Sequence, residues 1–177
     1  MKVSSKTALG GIVAALSLSL MFLISIIPMF TYAVPAAASM LLIPIVIEIS
    51  KKWALGVYFA ISLLGLIIVP NKEVAVIYVA FFGYYPVLKA ALESHMKIIP
   101  EWIVKIFVFN CSILSSYFLM LKLMGITIDE LEKFGWFAIP FLLAFGTFAF
   151  ILYDYALTKV IALYISKFQR RFKRLLK

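Results

Sequence analysis

Residues 7–27 read TALGGIVAALSLSLMFLISII, 21 residues without a charged side chain. Wound as an α-helix, such a stretch is about 31 Å long, enough to cross the hydrocarbon core of a bilayer. No water reaches that core, so the segment must satisfy its backbone N–H and C=O groups within itself, and a helix does so. This requirement restricts the fold more than any other feature of the chain. Thr7, Gly11, Ala15 and Ser19 recur at every fourth position, with Gly10 and Ala14 beside them. They form a smooth stripe along which a second helix backbone can lie closely.

Five further apolar stretches follow, at residues 32–49, 53–69, 73–92, 102–123 and 136–157. Pro35 and Pro44 fall in the second stretch, Pro86 in the fourth and Pro140 in the sixth. Prolines are tolerated in such helices where packed neighbours satisfy the freed backbone groups. The connections are short, so consecutive helices should run antiparallel in a compact bundle. Hydrophobic residues make up 65% of the chain and charged residues 14%, against about half and about a quarter in a soluble domain. Lys2 and Lys6 ahead of an apolar run imitate a signal peptide. The run is longer than a signal core and more spans follow, so it reads as a mature helix. The expected fold is all-α: an integral membrane bundle of six transmembrane helices over residues 1–164, with a basic amphipathic tail at 165–177.

Lysine and arginine are distributed unevenly between the two ends of that bundle. One end collects fourteen: Lys2, Lys6, Lys51, Lys52, Lys89, Lys97, Lys105, Lys159, Lys167, Arg170, Arg171, Lys173, Arg174 and Lys177. The other holds Lys72, Lys122 and Lys133. Cytoplasmic flanks are rich in these residues, which puts both termini in the cytoplasm of a multi-pass cell-membrane protein. The net charge of +9 is thereby a topology signal; it marks no nucleic-acid partner. In the tail, Lys167, Arg170, Arg174 and Lys177 share one helical face and Phe168, Phe172 and Leu175 another. That pattern suits anionic lipid headgroups, or equally the last turns of the sixth helix reaching into water. Of the outer connections, residues 70–73 offer Asn71 as an N-cap. Residues 125–135 hold Thr127 and Glu130 at capping-box spacing, fitting a surface turn or a short helix over the outer mouth.

Polar side chains within a span are costly and are the first candidates for function. Tyr78, Phe82, Tyr85 and Lys89 succeed one another at intervals of four, three and four on the fourth helix. They form one stripe, either an aromatic wall for a planar ligand or ordinary helix packing. Asn110 lies near the middle of the fifth helix and shares a face with Tyr117; its amide needs a partner, from a neighbouring helix or from a ligand. Glu48, Lys89 and Asp154 should lie at similar depth near the inner interface, where an ion pair or network among them is the economical arrangement. With one histidine, His95, and one cysteine, Cys111, the chain offers no multi-histidine metal site, no disulfide framework and no Ser-His-Asp triad. No phosphate-cradling loop or nucleophile–base pair is evident, so neither catalysis nor a bound cofactor is expected.

A small six-helix membrane protein with both ends inside and a small-residue first helix resembles the S components, the substrate-binding subunits of energy-coupling factor (ECF) vitamin transporters. In that family an Ala-x-x-x-Ala pattern in the first helix packs on the transmembrane coupling subunit. Here Gly11-x-x-x-Ala15 and Gly10-x-x-x-Ala14 stand in its place. The resemblance implies a small vitamin-like ligand bound in the outer half among Tyr32, Tyr78, Phe82, Asn110, Tyr117 and Trp136. It also implies docking of Gly10, Gly11, Ala14 and Ala15 on the coupling subunit, which separate ATPase subunits drive. The chain departs from the family in its very short first outer loop, and it carries no signature for a particular vitamin. The alternative is a non-transporting scaffold, resembling the small six-span morphogenesis proteins of the bacterial cell-shape machinery.

Overall fold

The computed structural model describes residues 3–24, 31–120 and 138–169. Among them the chain is all-helical. Its elements are α1 (Val3–Leu23), α2 (Ala33–Met40), α3 (Ile43–Glu48), α4 (Lys51–Ile68), α5 (Lys72–Ile77), α6 (Tyr85–His95), α7 (Ile98–Leu119) and α8 (Ala138–Leu163). One π-helical turn, Tyr78–Phe82, links α5 to α6, and another, Tyr164–Phe168, extends α8. Five helical segments are long and apolar enough to cross a membrane: Val3–Leu23, Lys51–Ile68, Lys72–His95, Ile98–Leu119 and Leu143–Phe168. The segment from Ala33 to Glu48 is also apolar but shorter. Large apolar side chains such as Ile12, Leu63, Ile67, Phe107, Phe118 and Phe148 point outward, as they do on a surface solvated by lipid.

Local chemistry explains where the helices begin, bend and end. Ser50 caps α4 by accepting from the Trp53 amide at 3.2 Å, and Asn71 caps α5 by accepting from Val74 N at 3.3 Å. At the other end of α4 the Lys72 ammonium donates to the carbonyls of Leu66 and Val69 at 2.8 and 3.1 Å. These are C-terminal carbonyls without intrahelical partners, and a cation is favoured there by the helix dipole. Pro44 lacks an N–H and its ring excludes the carbonyl four residues back. The helix accordingly breaks ahead of it, and Leu41 and Leu42 bond to Ala38 and Ser39 three residues back. Pro86 acts in the same way on the fourth apolar stretch. Gly83 N reaches back five residues to Tyr78 O at 2.8 Å, and a fresh helix starts at Tyr85.

The segment from Lys72 to His95 is the axis of the bundle. Of the 18 residues at its apolar centre 56% are buried, against 17% to 28% in the other four long segments. Gly83 lets it sit there, because a Cβ on Gly83 would stand 2.5 Å from the Tyr58 ring and 2.7 Å from the Tyr78 ring. One apolar cluster, including Met21, Leu42, Tyr58, Ile61, Val74 and Tyr78, joins α1 to α4 across this axis. A second, with Phe81, Tyr85, Phe109, Phe150, Tyr153 and Leu157, joins it to α7 and α8.

On α1 the buried positions are Gly10, Val13, Ser17 and Met21. Ser17 Oγ donates to Ala38 O at 3.2 Å, and a Cβ on Gly10 would meet Val57 at 3.0 Å. The stripe of Thr7, Gly11, Ala15 and Ser19 is exposed, and no described atom lies within 4 Å of where a Gly11 Cβ would stand. The two glycines therefore separate: Gly10 packs inside the bundle and Gly11 faces out. Two polar links register the bundle's ends. Lys51 Nζ donates to Ser94 Oγ at 3.0 Å at one end, and the Tyr32 hydroxyl donates to Glu73 Oε1 at 3.3 Å at the other.

Candidate functional site

The densest chemistry in the described molecule is a buried ion network between α6, α7 and α8. Lys89 comes from α6, Lys105 from α7 and Asp154 from α8, with side chains 1%, 1% and 5% exposed. Asp154 Oδ1 accepts from Lys89 Nζ at 2.7 Å and from the Tyr85 hydroxyl at 2.5 Å, and lies 3.3 Å from Lys105 Nζ. Lys89 also meets Glu93 at 2.6 Å. Lys105 meets Glu93 at 3.0 Å and Glu101 at 2.6 Å, and its ammonium lies 5.3 Å from the centre of the Trp102 ring.

Helix periodicity builds each half of this network. Lys89 and Glu93 are four apart on α6, and Glu101 and Lys105 four apart on α7, so each pair lies on one face. Glu101 sits in the first turn of α7, where the positive end of the helix dipole favours a carboxylate. What brings the halves together is the aromatic floor beneath them. Phe109 stacks on Phe150 with centroids 4.7 Å apart, while Phe81 and Tyr85 pack edge-on against Phe150 at 5.6 and 5.3 Å. Tyr153, adjacent to Asp154, hydrogen-bonds Ser39 at 2.6 Å and ties α8 to α2.

Burying one unpaired charge costs several kcal/mol, so a group of five is tolerated only if each member is paired. Two lysines face three carboxylates, Glu93, Glu101 and Asp154, leaving a formal charge of −1. The carboxylates converge on ammonium nitrogens; among the described residues no group of His, Cys, Asp or Glu is arranged to hold a metal ion.

The residues singled out from the sequence fall in different surroundings. Lys89 and Asp154 do pair. Glu48 is not part of their network: it is half-buried, and its Oε1 has no hydrogen-bond partner among the described residues. Glu93, Glu101 and Lys105 complete the network in its place. Their signals in the sequence were the Lys-x-x-x-Glu spacing at 89–93 and the Glu-x-x-x-Lys spacing at 101–105. Tyr78 is fully buried beside Tyr58, ring centroids 6.3 Å apart, and its hydroxyl has no partner among the described residues. Phe82 packs edge-on against Tyr153 at 5.0 Å. Asn110 donates to Ile106 O at 2.8 Å and to Thr147 Oγ1 on α8 at 3.4 Å. Tyr117 is half-buried next to Phe118, and Tyr32 is exposed and bonded to Glu73. Trp136, the connection at 125–135 and the tail beyond Gln169 lie outside the described residues.

Fold and site together define a class: the described residues form a helical bundle with five segments long and apolar enough to cross a membrane and a charged network inside it. The chain matches no protein-family model, and no characterised protein or solved structure is significantly similar to it.

Proposed function

We propose that the chain is a six-span membrane protein with both termini in the cytoplasm, and that it is the substrate-binding subunit of an ECF-type importer. In this reading α2 and α3 together make the short second span. The end carrying Lys51, Ser94 and Lys97 is cytoplasmic, as the excess of lysine and arginine requires. The chain itself performs no chemistry. It captures a small vitamin-like molecule from outside and docks on a membrane coupling subunit powered by separate ATPases, with anionic lipids against its C-terminal tail.

The observation that carries this reading is the outward face of α1. Gly11 and Ala15 are exposed, and nothing in the described bundle covers Gly11. A lipid-facing helix gains more from large apolar side chains, whereas bare backbone at that position suits a close helix–helix contact. The buried Tyr78 hydroxyl, which has no partner among the described residues, adds support, since a polar group in that state favours a ligand able to accept from it. Purification in mild detergent from its own membranes tests the proposal. Wild-type protein should bring down a coupling subunit, an ATPase pair and a small molecule, and Gly11→Leu should lose the protein partners while remaining folded.

A second reading, a non-transporting scaffold of the envelope machinery, is favoured by the pairing of Asn110 with Thr147 and of Tyr32 with Glu73. Both pairs are satisfied within the chain, the first between α7 and α8 and the second at the bundle's surface, and neither needs a ligand. Recovery of an empty bundle with envelope-assembly proteins would select this reading.

A further inference from the structure

One ligand of the buried lysines differs from the others. Glu93 Oε1 lies 2.6 Å from Lys89 Nζ and 3.0 Å from Lys105 Nζ, so a single carboxylate oxygen bridges both ammonium groups. Asp154 and Glu101 are nearly as buried as the lysines, but the Glu93 side chain is 41% exposed. It stands on the last turn of α6, two residues before the helix ends at His95. A change of rotamer there carries its carboxylate into solvent without moving the backbone. Lys89 and Lys105 have no such freedom, being enclosed between α6, α7 and α8.

We infer that Glu93 fills an anion-binding site. Lys89 and Lys105 form a two-ammonium receptor for a carboxylate- or phosphate-type oxyanion, and Glu93 occupies it from within the chain. When Glu93 swings out, Lys89, Lys105, Asp154 and Glu101 remain, two cations and two anions. Among the described residues Lys89 then keeps Asp154 as its one charged partner, and Glu93's place on its buried ammonium is left open. An entering monoanion restores what Glu93 supplied, both the charge and the hydrogen bonds. The approach is also electropositive. Lys51 donates to Ser94, the residue after Glu93, and Lys97 is exposed just beyond the end of α6. Such a rim concentrates anions at the entrance. The oxyanion is either free in solution or the headgroup of an anionic lipid, and the site is independent of any ligand in the other half of the bundle.

The test uses full-length protein in neutral detergent at constant ionic strength, with thermal unfolding as the readout. Glu93→Gln preserves the shape of the side chain and removes the internal competitor. Its half-saturation by inorganic phosphate or acetate should be at least tenfold lower than that of wild type, a gain of about 1.4 kcal/mol. Glu93→Asp, whose carboxylate is one methylene short of bridging, should fall between the two and carries the test if Glu93→Gln does not fold. A response to phosphate or acetate assigns the site to a soluble anion. A response to short-chain phosphatidylglycerol alone, with none to phosphatidylcholine, assigns it to a lipid headgroup. Adding Lys105→Gln should abolish either response. Equal responses of wild type and both Glu93 variants to phosphate and chloride, or a response that survives Lys105→Gln, would overturn the inference.

Discussion

Neutralising the two ends of the Lys89–Asp154 pair should destabilise the bundle unequally, and the charge count predicts the order. The network carries two cations and three anions. Lys89→Met leaves one lysine among three carboxylates, a formal −2 in a largely buried site. Asp154→Asn leaves two lysines and two carboxylates, a neutral group, and the amide oxygen still accepts from Tyr85. Breaking a buried ion pair costs about 3–5 kcal/mol, so Lys89→Met should lie near the upper end and Asp154→Asn near or below the lower. The double variant restores a net −1 on Lys105, Glu93 and Glu101. Its cost should fall short of the sum of the singles by about 1–2 kcal/mol, the coupling expected of groups in direct contact. Reversible unfolding in mixed micelles, followed by far-ultraviolet circular dichroism, measures all three. Single variants within about 0.5 kcal/mol of wild type, a strictly additive double, or the reverse order would refute the pairing described here.

Three further outcomes follow from packing and topology. Gly83→Ala should destabilise by about 1–3 kcal/mol despite alanine's better helix propensity, because its Cβ would meet the Tyr58 and Tyr78 rings at 2.5 and 2.7 Å; a variant as stable as wild type in thermal unfolding would disprove that contact. Gly10→Leu should impair folding by driving into Val57, 3.0 Å from the Cβ position, whereas Gly11→Leu should leave the melting temperature within about 2 °C of wild type. Identical behaviour of the two variants would mean that α1 is rotated from the orientation seen here. In a Cys111→Ser background, Met96→Cys should react with a membrane-impermeant maleimide only in inside-out vesicles. Labelling of intact cells would reverse the orientation.

The ends of the helices were largely legible because capping and helix breaking are local. Residues 53–69 anticipate α4 at Lys51–Ile68, and Asn71 caps α5 as its side chain suggested. Proline positions were legible as well, but their consequences were only partly so. The stripe from Tyr78 to Lys89 reads as one continuous helical face, whereas the chain makes a π-helical turn at Tyr78–Phe82 and starts again at Tyr85. That turn adds a residue to the register, so the segment is not the single uninterrupted helix that a period of 3.6 describes.

Sequence alone determined the helical, apolar character of this protein: long apolar stretches cannot leave backbone amides unbonded in hydrocarbon, so they are helices, and their flanking lysines mark one end of the bundle. Only the tertiary structure decided which polar groups meet. Glu93, Glu101 and Lys105 join Lys89 and Asp154, and Glu48 does not, because the rotation of α6, α7 and α8 about their axes is fixed by how Phe81, Phe109 and Phe150 interlock. Gly10 and Gly11, adjacent and identical in the sequence, part company for the same reason. About 100° of helix rotation separates neighbouring residues, and the fit of α1 against Val57 and Ala38 settles which of the two is enclosed.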